Sequence, residues 1–272
     1  MTGPSGTGAR RWLGYAALVV LFAVACGLLS WWQFARREEA VERIEQVERN
    51  WDAEPRPIED VLPEPGAFDP ADTWTPVRVT GEYLVEEQLL VRGRPRDGRP
   101  GFEVLVPLLT DDGRVFIVDR GWVPTGTAQD APDAVPAAPS GPVEVIARVK
   151  AGEPAIPGRG APPGQVATIE LPLIAGLLAP RETYTGAYGL LVSEDPPARE
   201  TPALAERPKP DEGPHLSYAI QWIIFAVLAF AALVWAINNE RRARAAEATS
   251  TPSPRRPRRD LDAEAEDALL DR

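Results

Sequence analysis

The chain has one cysteine, Cys26, and one histidine, His215, among 272 residues. A lone cysteine excludes an internal disulfide, and the two residues together exclude a Cys/His zinc site. Any Ser-His-Asp or Cys-His mechanism would have His215 alone to draw on. Lysine is nearly missing as well. Of 29 basic residues only Lys150 and Lys209 are lysine, which leaves 27 arginines. With its many Ala and Pro residues, this composition points to a GC-rich bacterial genome. There is no positive balance either: the formal net charge is −11, which disfavours nucleic acid as a partner. No Walker loop, G-x-S-x-G, H-E-x-x-H or S-x-x-K signature is present. Acidic pairs such as Asp111-Asp112 and Glu86-Glu87 read as solvated residues on loops or strand ends.

Proline and long apolar runs are what the chain has in plenty. Thirty prolines are roughly twice the usual share, which argues for long connections and against a mostly helical chain. Leu13 to Phe34 contains no charge, and neither does Leu216 to Asn239. About 20 apolar residues suffice for a helix to cross the hydrocarbon core. Neither run has a polar face, as a soluble helix of that length would. The expectation is therefore two membrane spans, 13–34 and 215–239, in a lipid bilayer. Arg10 and Arg11 before the first span and Arg241, Arg242 and Arg244 after the second outnumber Arg36, Arg37 and Lys209 between them. By the positive-inside rule both termini are cytoplasmic, residues 1–12 included, and 38–214 lie outside. Two other readings of the N-terminus compete. Arg10-Arg11 before an apolar run resembles a secretory or twin-arginine signal, and AVAC ending at Cys26 resembles a lipoprotein box. Ala23 stands where Leu is usual, however, and the run continues to Phe34, so a membrane-embedded cysteine is the plainer reading.

Between the spans, residues 35–51 read as a helical extension of the first. Val41, Ile44, Val47 and Trp51 recur at helical spacing, and Glu39–Arg43 and Glu45–Arg49 are i,i+4 pairs. A Pro-rich connection follows at 52–73. Strand patterns then come at 76–83, 86–92, 102–109, 114–122, 142–150, 166–170 and 187–194, with a helix at 171–179. TDDG at 110–113 reads as a hairpin turn, and Pro107 suggests an edge or a bulge. The segment 52–214 is thus expected to be a mostly antiparallel β-rich (α+β) extracytoplasmic domain with Pro-rich loops. Residues 240–272 lack an apolar period and read as a disordered cytoplasmic tail.

Chemistry-bearing residues gather where the first span ends and the second begins. Trp31, Trp32, Gln33, Arg36 and Arg37 close the one; Pro214, His215, Tyr218, Gln221 and Trp222 open the other. Pro214 suits the first turn of a helix. His215, Tyr218 and Trp222 share a face at i, i+3, i+7. Aromatic belts are ordinary at membrane interfaces, and Arg36 and Arg37 can serve simply to stop the span. A neutral imidazole beside cations and aromatic rings is also a place for a haem with its two propionates. On the residues alone, an interfacial histidine with a structural role is the plainer of the two readings.

Three separated segments carry a family resemblance. SWWQFARR (30–37) resembles a W-Q-x-x-R element. The block 76–124 has G-x-Y, an Arg, P-G-[FY]-x-V-x-x-P-L and R-G-W-[VI]-P in order, and GPHLSYAIQW (213–222) resembles H-x-x-Y-A-x-Q-W. The chain is similar in these to the surfeit locus protein 1 family of cytochrome c oxidase assembly factors, in a bacterial, actinobacterial form. The likeness runs from about 13 to 240, with a weak middle at 125–185. It implies a non-enzymatic chaperone of the plasma membrane that binds haem a and assists its insertion into the catalytic subunit of cytochrome c oxidase. A haem a synthesis enzyme would be the donor. It also implies that His215 ligates the haem iron, with Arg36, Arg37, Trp32, Tyr218 and Trp222 around the cofactor. One histidine fills one axial position, so a homo-oligomer sharing a haem is compatible. The alternative is a membrane-anchored scaffold that stabilises oxidase subunits without touching haem. Among the other matching positions, Gly81, Gly101 and Gly121 are expected to serve backbone geometry, and Arg120 to pair with a carboxylate of the domain or face a partner.

Overall fold

The structure, a computed structural model, describes residues 6–128 and 130–249. Two compact units divide it: one of two long apolar helices, from residues up to Arg36 and from Pro214 onward, and a β-rich one from Arg37 to Gly213. In chain order the elements are α1 (Gly6–Asn50), β1 (Arg56–Pro57), α2 (Ile58–Val61), β2 (Pro76–Tyr83), β3 (Leu89–Arg92), β4 (Gly101–Thr110), β5 (Val115–Pro124), β6 (Pro142–Ala151), β7 (Gln165–Val166), α3 (Leu171–Leu177), β8 (Ala187–Asp195) and α4 (His215–Thr249).

All eight strands join one sheet in the order β1-β2-β6-β8-β5-β4-β3-β7, and a further β2–β4 pairing closes it into a ring of five. Around that ring every pairing is antiparallel except β5–β8. Strand alternation builds the interior. Val77, Val79 and Tyr83 of β2 and Val143, Val145, Ala147 and Val149 of β6 point inward, while Arg78, Thr80, Glu82 and Glu144 between them are exposed. Strands β4 and β5 are buried on both faces. Their outer side carries a second core, where Leu105, Val115 and Ile117 meet Ile169, Leu171 and Ile174 of the α3 region. Two-sided burial is why these strands read as nearly continuous apolar runs.

The strand expectations hold for 76–83, 102–109, 114–122, 142–150 and 187–194 within a residue or two. Two are shorter than their patterns. Residues 85–87 turn as a 3-10 helix, with Glu87 N–H donating to the Leu84 carbonyl, so β3 starts only at Leu89. At 166–170 just Gln165–Val166 pair, because Ile169 exchanges its backbone bonds with Glu153 instead of with a strand. Pro107 lies neither on an edge nor in the bulge, which falls between Glu103 and Leu105. It sits where β4 changes partner from β3 (up to Leu105) to β2 (from Leu108), so no ladder bond needs its missing N–H.

Helix α1 runs unbroken to Asn50, as the stripe Val41, Ile44, Val47, Trp51 predicts, with Glu45 and Arg49 paired at 3.6 Å. Helix α4 passes the expected end at 239 and reaches Thr249. The segment RRARAAEA consists of strong helix formers, and a Glu240–Arg244 pair one turn apart supports it. Residues 250–272, the rest of the expected tail, and 1–5 lie outside the described residues.

Candidate functional site: a histidine held at the seam of two helices

Polar contacts among the described residues join the two apolar helices. Arg11 pairs with Glu240 at 2.5 Å, Ser30 Oγ donates to the Ala219 carbonyl at 3.0 Å, and Gln33 Oε1 lies 2.8 Å from His215 Nδ1. Moving toward the C-terminus on α1 means moving toward the N-terminus on α4, so the helices are antiparallel. Cys26, Ser30 and Gln33 follow one another at i, i+4 and i+7, and all three are buried, as is Ala219 opposite them. Small side chains here let the backbones approach closely enough for a serine hydroxyl to reach a main-chain carbonyl. The seam continues to the first residue of α4, which is His215.

The residues picked out by the sequence are placed unevenly around it. His215 is half-buried and in contact with Gln33. The Arg36 guanidinium lies 6.0 Å from the centre of the Trp32 ring one turn below, a cation–π arrangement. Trp32 and Tyr218 are about half exposed, so Tyr218 turns away from the seam although it shares the expected face with His215. Trp222 packs edge-on against Phe225 with centroids 5.8 Å apart. Arg37 is in an ion pair with Glu212 at 2.8 Å. Sequence reading named Gln33 without assigning it a task, and it passed over Ser30 and Ala219. The signal was there: Cys26, Ser30 and Gln33 stand at i, i+4 and i+7 in a largely apolar run.

With the Gln33 oxygen against Nδ1, Nε2 is the ring nitrogen that could take a metal ion. Aromatic surface at Trp32 and a guanidinium at Arg36 belong to the same helix end.

The β-rich unit contains buried charge of another kind. Arg120 is fully buried inside the ring, where its Nη2 meets Glu194 Oε1 at 2.7 Å and its Nη1 donates to the Pro136 carbonyl at 3.0 Å. Tyr83 donates to Glu194 Oε2 at 3.0 Å, and burial together with that carboxylate pushes its hydroxyl pKa well up. Arg120 thus pairs with a carboxylate of its own domain. On the outer face of β5, Asp119 is pushed up to about 8, first by burial and then by Glu103, while the Gly121 N–H donating to its Oδ1 opposes the shift. Gly101 and Gly121 do serve geometry. A Cβ on Gly101 would run into the Trp122 ring, and Gly121 has φ +126° with the Ala203 carbonyl against it. Among the described residues no group of three His, Cys, Asp or Glu side chains could hold a metal ion.

The model of the SURF1 family matches residues 20–227, which take in the helix seam, His215 and the whole β-rich unit. The chain belongs to the SURF1 family. As a SURF1-family chain it is 33% identical over 251 residues to a SURF1-like protein of Mycobacterium tuberculosis, covering 90% of each. A SURF1-like protein of Mycobacterium bovis matches to the same extent. The cytochrome oxidase assembly protein SHY1 of Saccharomyces cerevisiae is 30% identical over 98 residues, which is 35% of this chain and 24% of the yeast protein. The mycobacterial relatives agree with the bacterial, actinobacterial form of the family that the resemblance implies.

Proposed function

We propose that this SURF1-family protein is a membrane-anchored assembly factor for haem a-containing cytochrome c oxidase. In this reading it holds haem a as cargo at His215 and assists insertion into the catalytic subunit. The observation that carries the assembly role is family membership together with similarity to a yeast protein named for oxidase assembly. Two helices long and apolar enough to cross a membrane support the anchoring, and the basic residues at both ends favour cytoplasmic termini. The half-buried His215, with Nδ1 engaged and Nε2 left to ligate, supports the haem role.

Each side chain has a task in this reading. His215 would hold the haem iron through Nε2, and as the sole histidine it offers one imidazole per chain. Trp32 and Trp222 offer ring faces to the porphyrin. Arg36 meets a propionate; Arg37, already paired with Glu212, is a reserve cation. A haem a synthesis enzyme donates and an oxidase subunit accepts, so the cargo must be held reversibly. A single protein ligand suits that need.

The test is to purify the full-length protein from cells able to make haem a and record the reduced spectrum. Wild type is expected to carry haem and His215→Ala to lose most of it while still inserting into membranes. Arg36→Ala is expected to weaken retention by roughly the 1.5–3 kcal/mol of a charged hydrogen bond. Co-purification with oxidase subunits and no haem spectrum in wild type would replace this reading with the scaffold alternative. A deletion strain without a paralogue is expected to lose haem a-containing oxidase while keeping other respiration; normal oxidase levels there would remove the assembly role itself.

A further inference from the structure

We propose that Gln33 is the positioning residue of His215. Its side-chain carbonyl takes the Nδ1 proton, locks the imidazole in the Nδ1–H tautomer, and so presents the Nε2 lone pair as the one ligating position. The inference deepens, and rests on, the proposed role of His215 as an axial ligand.

The argument starts from hydrogen-bond chemistry. Gln33 Oε1 stands 2.8 Å from His215 Nδ1, within range of a good hydrogen bond. An amide oxygen has lone pairs and no hydrogen, so the contact is a bond only if Nδ1 carries the proton. A neutral imidazole has one N–H, and Nε2 is therefore left with its lone pair. A free neutral imidazole of histidine prefers the opposite tautomer, with the proton on Nε2. Without Gln33 the ligand-ready form is a minority, and apparent affinity falls by that fraction.

Gln33 is built to hold this bond. It is 9% exposed, one turn beyond Ser30, whose hydroxyl bond to the Ala219 carbonyl fixes the two backbones against each other. The amide is thus carried on a rigid element with its approach already set. A ligating histidine regularly gives its other ring proton to such a carbonyl or carboxylate, and loss of that partner typically weakens metal binding 10–100-fold.

Because His215 is the sole histidine of the chain, the test needs no assignment. The full-length protein is labelled with 15N-histidine, placed haem-free in lipid nanodiscs, and read by nitrogen NMR at mildly alkaline pH. The expected result is a protonated Nδ1 and an unprotonated Nε2. Gln33→Leu is expected to swing the ratio toward Nε2–H and to cut retention of haem a about 10–100-fold. Gln33→Glu, which keeps an acceptor oxygen, is expected to restore the Nδ1–H tautomer and most of the haem, with a shifted reduced spectrum. A wild-type ring protonated on Nε2, or a ratio unmoved by Gln33→Leu, overturns the lock by itself. Equal haem in wild type and His215→Ala overturns instead the ligand reading on which the lock depends.

Discussion

Arg120 and Glu194 show what burial does to a charged pair. Both side chains are almost wholly out of water, at 0% and 3% exposure, and two hydrogen bonds join them. Their mutual attraction offsets the loss of hydration only while both are present. Glu194→Ala is expected to cost about 3–5 kcal/mol, because it strands a buried guanidinium. The double change Arg120→Met with Glu194→Leu should recover most of that loss. Denaturant unfolding of the detergent-solubilised protein measures both, and equal losses in the single and double variants would contradict it. Asp119 makes a pH-dependent contribution of defined sign. The unfolded chain releases this proton near pH 4 and the folded protein near 8, since burial and Glu103 outweigh Arg94 and Lys150. Between those values the native state binds the extra proton, so stability falls as pH rises from about 4 to about 8. Asp119→Asn, which keeps an acceptor for the Gly121 N–H, is expected to flatten that fall and raise the melting temperature at pH 8 relative to wild type. Melting curves at pH 5, 6.5 and 8 with identical slopes for both proteins would be the contrary result.

At the scale of elements, the helix seam and the closing of the sheet both depend on close approach. Ala219 is fully buried against Ser30 and carries no atom beyond Cβ. Ala219→Leu inserts three carbons into a packed seam and must push the helices apart or force a rotamer. It leaves His215 and Gln33 chemically intact but is expected to lengthen their contact. Its predicted effect is a lower haem-to-protein ratio at unchanged expression, and Ala219→Ser is the tolerated control. Retention at the wild-type level in Ala219→Leu would show that the seam does not govern the site. Legibility at this scale was selective. The long elements were readable because apolar pattern and length say the same thing: two runs above 20 residues, and five strands of eight or more residues, alternating in β2 and β6 and almost continuously apolar in β4 and β5. The short ones were not. Whether 166–170 pairs as a strand depends on Glu153, whose approach to Ile169 comes from 16 residues away in sequence. The tolerance of Pro107 depends on a change of partner strand that no local pattern encodes.

For the whole molecule, the expected arrangement is two spans around an outer β-rich unit. A reporter active only outside the cytoplasm is predicted to be active when fused after residue 130 and silent after residue 250, from the arginines at 10, 11, 241, 242 and 244. The reverse pattern would invert the topology. Such a layout leaves the β-rich unit to fold on its own core. Its ring is closed by β2–β4 pairing, and its interior is filled by Val, Phe, Leu and Tyr from all five ring strands.

Composition, apolar run length and ordered motifs were enough to determine the class of this protein: two long apolar helices, a β-rich unit between them in sequence, and the family. Those features are local or additive along the chain, and a local pattern carries them. The closure of the sheet, the enclosure of Arg120 by Glu194 and Tyr83, the raised pKa of Asp119 and the partnership of Gln33 with His215 were decided by tertiary structure. Each joins residues far apart in sequence, 182 positions in the last case, and depends on a distance or a burial that arises only once helices and strands have packed.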